Sequence, residues 1–321
     1  MTSILVTGIG GIVGQGILRN LRAMAMDITI IGTNTASVSA GNHLCDLVYQ
    51  VPYATEDSYI ESIRTIVKQH NIGLILPSTD YEAYYLALSR EDIPTLVAAS
   101  PSEVCRICLD KFSNYQEFFA QRIEFARSFL PSSYNGEFSK FVVKPREGRG
   151  SRNIFVNPPQ PATFADDYVI QEFLDGPELT TTFYVRQTGE LHGFINLKRN
   201  LEHGNTVSCE VVFDYDEQIE TLLRRIIAKF PFRGSCNLQS RVTDRGVIPF
   251  EINCRISGTN SIRSQFGFPD VSYTIQELLF KRTPDAPVVI KGCAVRVMHD
   301  VVYPNISLAD IKNRHDEFYF Y

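Results

Sequence analysis

The stretch SCNLQSRVTDRGVIPFEINCR, Ser235 to Arg255, holds two runs of strand character, Ser235–Val242 and Val247–Asn253, joined by Asp244-Arg245-Gly246. Read as a three-residue hairpin loop with glycine at its left-handed position, the joint pairs Thr243 with Val247. Gln239 then faces Glu251, and Asn237 faces Asn253. Side chains along a strand alternate between faces, so these four oxygen-bearing groups share one face while Leu238, Ile252 and Cys254 turn to the other. One carboxylate among neutral oxygens suits a hard cation such as magnesium, which takes further oxygens from substrate phosphates. Arg255 follows two residues later on the same face. The competing reading is the solvated face of an ordinary hairpin, which more usually carries Lys or Thr.

Two earlier segments complement this hairpin. Phe141–Ser151, FVVKPREGRGS, is a strand running into a basic, glycine-rich turn. Backbone amides freed by Gly148 and Gly150 can wrap a polyphosphate, and Lys144 at the strand end would neutralise its charge; a basic surface turn is the plainer alternative. Tyr168–Glu178, YVIQEFLDGPE, is an apolar strand that stops at Gly176-Pro177. Its end, Gln171-Glu172-Phe173-Leu174, can offer backbone hydrogen bonds to an adenine edge, with Glu178 reaching ribose hydroxyls. An ordinary strand–turn–strand is the alternative there.

Farther out, the first hundred residues alternate strands (Ser3–Thr7, Ile28–Gly32, Leu47–Val51, Leu74–Pro77, Thr95–Ala98) with helical patterns (Gly14–Met24, Asp57–Gln69, Tyr81–Leu88), as in a parallel sheet covered on both faces. Gly8, Gly10, Gly11, Gly14 and Gly16 open the first helix. Gly8-x-x-Gly11-x-x-Gly14 has the spacing of an NADP-type Rossmann turn, yet the second strand ends in Gly32-Thr33-Asn34 without the acidic ribose ligand, and no Tyr-x-x-x-Lys pair exists. Close strand–helix packing explains the glycines, and substrate contact at Gly10 and Gly11 is the functional alternative. From Leu109 to Pro131 the pattern reads as helical, its aromatic stripe as core. The remainder is mixed α+β and mostly antiparallel, with helices over Glu217–Phe230 and Ser272–Leu279.

Composition agrees with a globular protein: 321 residues, 44% hydrophobic and 21% charged, with 31 Lys+Arg against 36 Asp+Glu for a net charge of −5. No basic tail supports nucleic-acid binding. No apolar run approaches the ~18 residues of a membrane span, and the N-terminus runs almost directly into a strand; a cytoplasmic protein is expected. The seven cysteines are scattered. Cys105 and Cys108 have CxxC spacing without a second pair, so reduced, buried thiols are expected in place of zinc.

Taken in order, these segments resemble the ATP-grasp superfamily, in particular the ATP-binding half of the carbamoyl-phosphate synthetase large subunit and stand-alone carboxylate–amine ligases. The resemblance runs from the glycine-rich start to about residue 300. It implies a Rossmann-like pre-ATP-grasp domain (1–108), a small lid subdomain (109–175) and a C-terminal subdomain with an antiparallel sheet (176–321). It also implies ATP with one or two Mg²⁺ ions, Mn²⁺ being a substitute, and carboxylate and amine substrates that are small molecules; a homodimer is compatible with it. Asp110-Lys111 resembles the start of the ATP-binding region, Lys144 to Ser151 the phosphate loop, Gln171 to Leu174 the adenine hinge, and Glu178 the ribose carboxylate. Gln239, Glu251 and Asn253 are similar to the magnesium ligands, within a Glu-x-Asn-x-Arg run that ends at Arg255. Lys144 and Arg255 are then the groups expected to act on the transferring phosphoryl group, and Arg263 is the candidate for holding a substrate carboxylate. Two departures stand out: 157–167 is too short for the usual lid helix, and Cys254 occupies a place where the family usually has Pro. An NADP-dependent sugar-nucleotide oxidoreductase or epimerase, an ATP-grasp phosphotransferase and a non-catalytic ATP-binding module remain as alternatives.

Overall fold

A computed structural model describes residues 2–148, 153–202 and 204–321. Its N-terminal part is a five-stranded parallel sheet of order β3-β2-β1-β4-β5, built from β1 (Thr2–Val6), β2 (Ile28–Asn34), β3 (Leu47–Gln50), β4 (Ile72–Leu76) and β5 (Leu96–Val97). Helix α1 (Ile12–Ala23) buries Ile17, Leu18 and Leu21 on one face of the sheet, while α2 (Tyr59–His70) buries Ile63, Ile66 and Val67 on the other. Strands covered on both sides lose their polar alternation, which is why Ile4, Leu5 and Val6 are consecutive apolar residues, all fully buried. The strand order reverses at β1, so the loops after β1 and β4 leave the same sheet edge and open a crevice there. Ser78 Oγ donates to the Gly8 carbonyl at 3.2 Å across that crevice. Helix α3 (Asp80–Leu88) begins beside it, with Thr79 capping the Glu82 amide.

The span from Leu109 to Pro131 is not one helix. Helix α4 (Ser102–Leu109) stops at Asp110, whose carboxylate caps α5 (Lys111–Ala120) by accepting from the Phe112 amide at 2.9 Å. Arg122 then takes φ 57° and the Ile123 amide closes back on the Phe118 carbonyl at 2.9 Å, a Schellman-type stop made without glycine. The chain continues extended into β6 (Ser128–Phe129). Aromatic periodicity alone did not signal that stop. Phe118 and Phe125 are nonetheless core residues, in edge contact with a centroid distance of 5.0 Å.

Strand β6 edges a four-stranded sheet of order β6-β9-β7-β8, formed with β7 (Phe141–Pro145), β8 (Phe155–Val156) and β9 (Tyr168–Glu172). Between β8 and β9 the only helical element is the 3₁₀ turn Pro161–Thr163, matching the brevity expected of 157–167. A six-stranded sheet of order β14-β13-β10-β11-β12-β15 follows. It contains β10 (Glu178–Val185), β11 (Leu191–Glu202), β12 (Asn205–Val211), β13 (Gly234–Thr243), β14 (Gly246–Asn253) and β15 (Cys293–Val295), all pairs antiparallel. Helix α6 (Asp216–Lys229) packs Ile219, Leu223 and Ile226 beneath it. Two short helices, α7 (Asn260–Arg263) and α8 (Asp270–Thr274), come after β14, and the latter continues into a π-helical turn, Ile275–Leu279. Val271 and Ile275 pack onto the N-terminal sheet, and Leu238, Ile252 and Cys254 share a core with α4 and α5. The two halves are thus joined by buried apolar surface on both sides of the crevice.

The hairpin loop differs from the expected one. Thr243 pairs with Gly246, not Val247, leaving a two-residue loop, Asp244-Arg245. Thr243 Oγ1 accepts from the Arg245 amide at 3.1 Å and donates to the Gly246 carbonyl at 3.0 Å, while Gly246 takes φ 101°, a conformation suited to glycine. That loop alone would put Glu251 out of step. The register shifts between Gln239 and Ser240: Ser240 pairs with Pro249 and Gln239 with Glu251, so Phe250 is the extra residue of a β-bulge. The expected pairs Gln239–Glu251 and Asn237–Asn253 are therefore present, reached by a shorter loop and one bulge.

Candidate functional site

The β13–β14 patch is polar on one face and sealed on the other by Leu238, Ile252 and Cys254, each at most 3% exposed. Its four oxygen-bearing groups are not equivalent. Asn237 Oδ1 accepts from Thr180 at 2.8 Å, Ser257 at 3.0 Å and Thr182 at 3.3 Å, which saturates it as a structural acceptor. Gln239 Oε1 accepts from Arg199 at 3.1 Å. Asn253 Nδ2 donates to Glu251 Oε1 at 3.4 Å, which leaves its own carbonyl oxygen available. Glu251 is the patch's one carboxylate.

Two lysines converge on Glu251 from different elements. Lys144 is the penultimate residue of β7 and is 5% exposed, its ammonium 5.4 Å from the centre of the Phe250 ring. Burial pushes its pKa down to about 8, and Lys111 adds to that, against the pull of Glu251 and Glu178. Lys111 opens α5 and donates to the carbonyls of Arg146 and Gly148, both at 3.3 Å, so it ties the helix start to the phosphate-loop candidate. Burial would raise the Glu251 pKa, but Lys111 and Lys144, helped by the Asn253 hydrogen bond and Arg255, outweigh it and hold the carboxyl below its ordinary range. Asp80, Lys111, Gly148, Glu251 and Asn253 line one pocket at the mouth of the crevice. Gly148 has φ 152°; Gly150 and Ser151 lie outside the described residues.

Arg255 is tied to Asp80 of that pocket wall, in the N-terminal part: Nη2 donates to Asp80 Oδ2 at 2.8 Å. Burial works against the charged guanidinium, but Asp80 and Glu251 more than compensate and raise its pKa. Asp80 Oδ1 and Arg255 Nε are buried without a hydrogen-bond partner among the described residues. An unmatched acceptor beside an unmatched donor in a pocket is costly unless a ligand completes them.

The hinge candidates lie at the junction of β9 and β10. Gln171 is 2% exposed and its amide bridges Ser128 Oγ (3.1 Å) and the Phe250 carbonyl (3.4 Å), so it braces the bulge. The Glu172 amide donates to the Arg127 carbonyl at 2.9 Å and the Phe173 amide to the Lys140 carbonyl at 3.0 Å. Leu174 is 7% exposed. Glu178 is already engaged, paired with Arg199 at 2.5 Å and Arg241 at 3.4 Å; a ribose hydroxyl would have to share it.

One sequence expectation needs revising. Arg263 does not face a substrate: it is wholly buried and forked onto Asp270 (3.0 and 2.6 Å), with further bonds to Ser257 and Thr259 at 2.9 Å. Its position seven residues before a carboxylate that the fold buries is what captures it. The glycines after β1 are shaped first by packing. A Cβ on Gly14 would come within 2.5 Å of the Gly8 carbonyl oxygen, and one on Gly16 within 2.2 Å of the Asn260 side chain. Gly10 and Gly11 stand at the crevice edge, with Gly11 donating to the Gly8 carbonyl at 3.1 Å. Asp80 and Arg199 are site neighbours that the sequence reading does not single out. Ser78-Thr79-Asp80 carries a helix-start signal that could have marked Asp80, whereas a single arginine in a strand carries none.

The donor set fits magnesium in one way only. Among the described residues no three His, Cys, Asp or Glu side chains are arranged to hold a metal ion. Glu251 with the Asn253 and Gln239 oxygens supplies too little charge for a protein-only site, but suits an ion that draws its remaining ligands from phosphates and water.

A parallel domain, a small antiparallel sheet and a larger antiparallel sheet make up an ATP-grasp fold with its N-terminal domain. Residues 164–301 match the family described as ATP-grasp in the biosynthetic pathway with Ter operon, and residues 4–96 match the PylC-like N-terminal domain. The chain is similar in structure to N5-carboxyaminoimidazole synthetase from Staphylococcus aureus complexed with ADP (12% identity, 92% of this chain and 80% of that chain, TM-score 0.71). It is likewise similar to the biotin carboxylase domain dimer of Hydrogenobacter thermophilus 2-oxoglutarate carboxylase, solved with MgADP, ADP and bicarbonate (12%, 90% and 73%, TM-score 0.71). A third likeness is to L-amino acid ligase from Bacillus licheniformis (11%, 87% and 74%, TM-score 0.71). No curated protein matches the chain significantly. The matched families give no support to an NADP-dependent oxidoreductase, and among the described residues no helix is long and apolar enough to cross a membrane.

Proposed function

We propose that the protein is a Mg·ATP-dependent carboxylate–amine ligase. The observation that carries the reading is that Glu251, Asn253 and Lys111 line one pocket at the crevice between the PylC-like and ATP-grasp parts, with the Lys144 charge also acting on Glu251. Structurally similar proteins solved with ADP or MgADP support the nucleotide, and a similar amino acid ligase supports the reaction class.

On this reading the nucleotide lies between the four-stranded and six-stranded sheets. With the amides of Glu172 and Phe173 already engaged, the adenine edge is read from Leu174 onward. Lys111 and Lys144 hold the phosphate tail. Glu251, Asn253 and, by exchange with Arg199, Gln239 would hold the metal, which when bound neutralises phosphate charge. Arg255, steadied by Asp80, stabilises charge on the transferring phosphoryl group; such transfer needs positioning and charge compensation more than a covalent partner. A substrate carboxylate attacks the terminal phosphorus, ADP leaves, and an amine displaces phosphate from the acyl phosphate. Both substrates enter beside Gly10 and Gly11.

The test is a screen of carboxylates against amines that follows ADP and phosphate release. Phosphate that appears only with both substrates, together with a new amide, supports the reading. ATP consumption with a stable phosphorylated product, or Mg·ATP binding without turnover of any mixture, overturns it in favour of a phosphotransferase or a binding module.

A further inference from the structure

Beyond β15 the chain leaves the six-stranded sheet and lies against the N-terminal part. Residues 299–321 close on themselves through two short strands, β16 (Val301–Val302) and β17 (Tyr319–Phe320). Asp300 and Tyr321 exchange both backbone hydrogen bonds, at 2.9 and 3.0 Å. The segment grips residues 42–46, in the connection from β2 to β3. Asn42 Nδ2 donates to the Lys312 carbonyl at 3.2 Å, and the Arg314 amide to the Cys45 carbonyl at 2.9 Å. Asp46 accepts from the Arg314 guanidinium and lies 3.7 Å from His315 Nε2. The His43 ring meets Phe318 and Phe320 edge-on, with centroids 5.5 and 5.4 Å away.

That connection is in turn the wall of the glycine turn after β1. A Cβ on Gly41 would come within 2.3 Å of the Ile9 carbonyl oxygen, and one on Gly10 within 3.2 Å of the Ser39 Cβ. Asn42 is fully buried and keeps the wall in shape. Its Oδ1 accepts from the Ser39 amide at 3.0 Å and the Ser39 hydroxyl at 2.9 Å, while Nδ2 also donates to the Ser37 carbonyl at 3.0 Å. A line of contacts thus runs from Lys312 through Asn42 and Ser39 to Gly10 at the crevice edge. The grip itself is light. Ile311 is the one buried residue among the described residues 299–321, and the Arg314 and His315 side chains are 44% and 63% exposed. Asp46 also accepts from the Ile30 amide at 2.7 Å and from Arg22 at 3.0 Å, so letting go of Arg314 does not strand its charge. A segment held by exposed ion pairs and little buried apolar surface opens at small cost.

We propose that residues 299–321 are a strap that opens and closes the substrate side of the crevice by releasing and regripping the β2–β3 connection, while the nucleotide side stays undisturbed. With the strap down, Asn42 holds Ser39 against Gly10 and narrows the entrance. With it lifted, the wall comes away from Gly10 and a substrate can pass. Because the grip at Asp46 is ionic and exposed, salt favours the lifted form. This inference rests on the ligase reading for naming that edge the substrate side, but not for the movement.

Cys45 supplies the readout. It is fully buried and its carbonyl carries the Arg314 contact, so iodoacetamide reaches its thiol only when the strap is up. Cys236, fully buried in the six-stranded sheet, reports wholesale unfolding. Raising sodium chloride from about 50 to 500 mM, which shortens the screening length severalfold, should speed Cys45 alkylation severalfold by mass spectrometry. Arg314→Ala combined with Phe318→Ala should speed it at least tenfold at low salt, with Cys236 unchanged; Phe318→Ala alone serves should the double variant not fold. Hydrogen exchange at the Ile9 and Gly11 amides, which donate to the Thr33 and Gly8 carbonyls, should quicken in the same variant, and Mg·ADP affinity should stay within twofold of the parent. Cys45 alkylation that ignores either salt or the substitutions overturns the proposal. So does faster alkylation without faster exchange at Ile9 and Gly11, a matching rise at Cys236, or weakened Mg·ADP binding. If neither parent nor variant binds Mg·ADP while alkylation and exchange behave as stated, the ligase reading fails and the strap stands.

Discussion

Gln239 stands directly across from Glu251 because Phe250, between Pro249 and Glu251, bulges out of β14. Without that extra residue the two-residue loop at Asp244-Arg245 would send Glu251 to the face now occupied by Ile252, and the carboxylate would point into the core. The bulge is braced at its carbonyl by Gln171 and at its ring by the Lys144 ammonium. Site formation and strand register are therefore one property of the hairpin.

Lys144 gives a pH dependence of determined sign. Its pKa in the unliganded fold is about 8, below the ordinary 10.5, because it is buried. The ammonium proposed to hold phosphate is present below that value and is lost as pH rises through it. Mg·ADP affinity should therefore fall above about pH 8, approaching tenfold per pH unit, when titrated calorimetrically from pH 6.5 to 9.5. Stability of the unliganded protein should respond in the opposite direction. Between about 8 and 10.5 the unfolded chain binds more protons at this residue, so its contribution to stability rises with pH. Lys144→Met should bind roughly tenfold or more weakly, consistent with loss of a charged hydrogen bond, and should lose the pH dependence.

Arg263→Ala should act on stability. Removing one member of a fully buried ion pair leaves Asp270 uncompensated, at a cost of about 3–5 kcal/mol, measurable by urea denaturation. A variant as stable as the parent but with weakened substrate binding would return Arg263 to the substrate site.

Magnesium alone should not bind measurably. One carboxylate and two amide oxygens, one already accepting from Arg199, cannot replace the hydration shell of the ion without phosphate oxygens. Calorimetric titration of Mg²⁺ into nucleotide-free protein should give no saturable heat, whereas a micromolar site would require ligands other than those identified.

The parallel domain was readable because strands buried on both faces spell out apolar runs, and Ile4-Leu5-Val6 and Leu74-Ile75-Leu76 do so plainly. The Gln239–Glu251 face was readable for a looser reason. The pairing Gln239–Glu251 followed from a three-residue loop that is not there, and the bulge at Phe250 restored it. Sequence periodicity carries no mark of a single-residue bulge, since a shorter loop plus a bulge and a longer loop predict the same partners. The stop at Arg122 was hidden for a comparable reason, because a left-handed position filled by arginine lacks the usual glycine. The burial of Arg263 against Asp270 and the Asp80–Arg255 bond across the crevice are tertiary facts. Each joins elements whose packing is set by other residues, and no local pattern announces them.

The most direct test is calorimetric titration of Mg·ADP into the wild-type protein and into Glu251→Gln. The account predicts one saturable site per chain in the wild type, dependent on magnesium, and an affinity at least tenfold lower in a variant that retains the parent's fold. Binding that is equally tight without magnesium, or unchanged by Glu251→Gln, would contradict it.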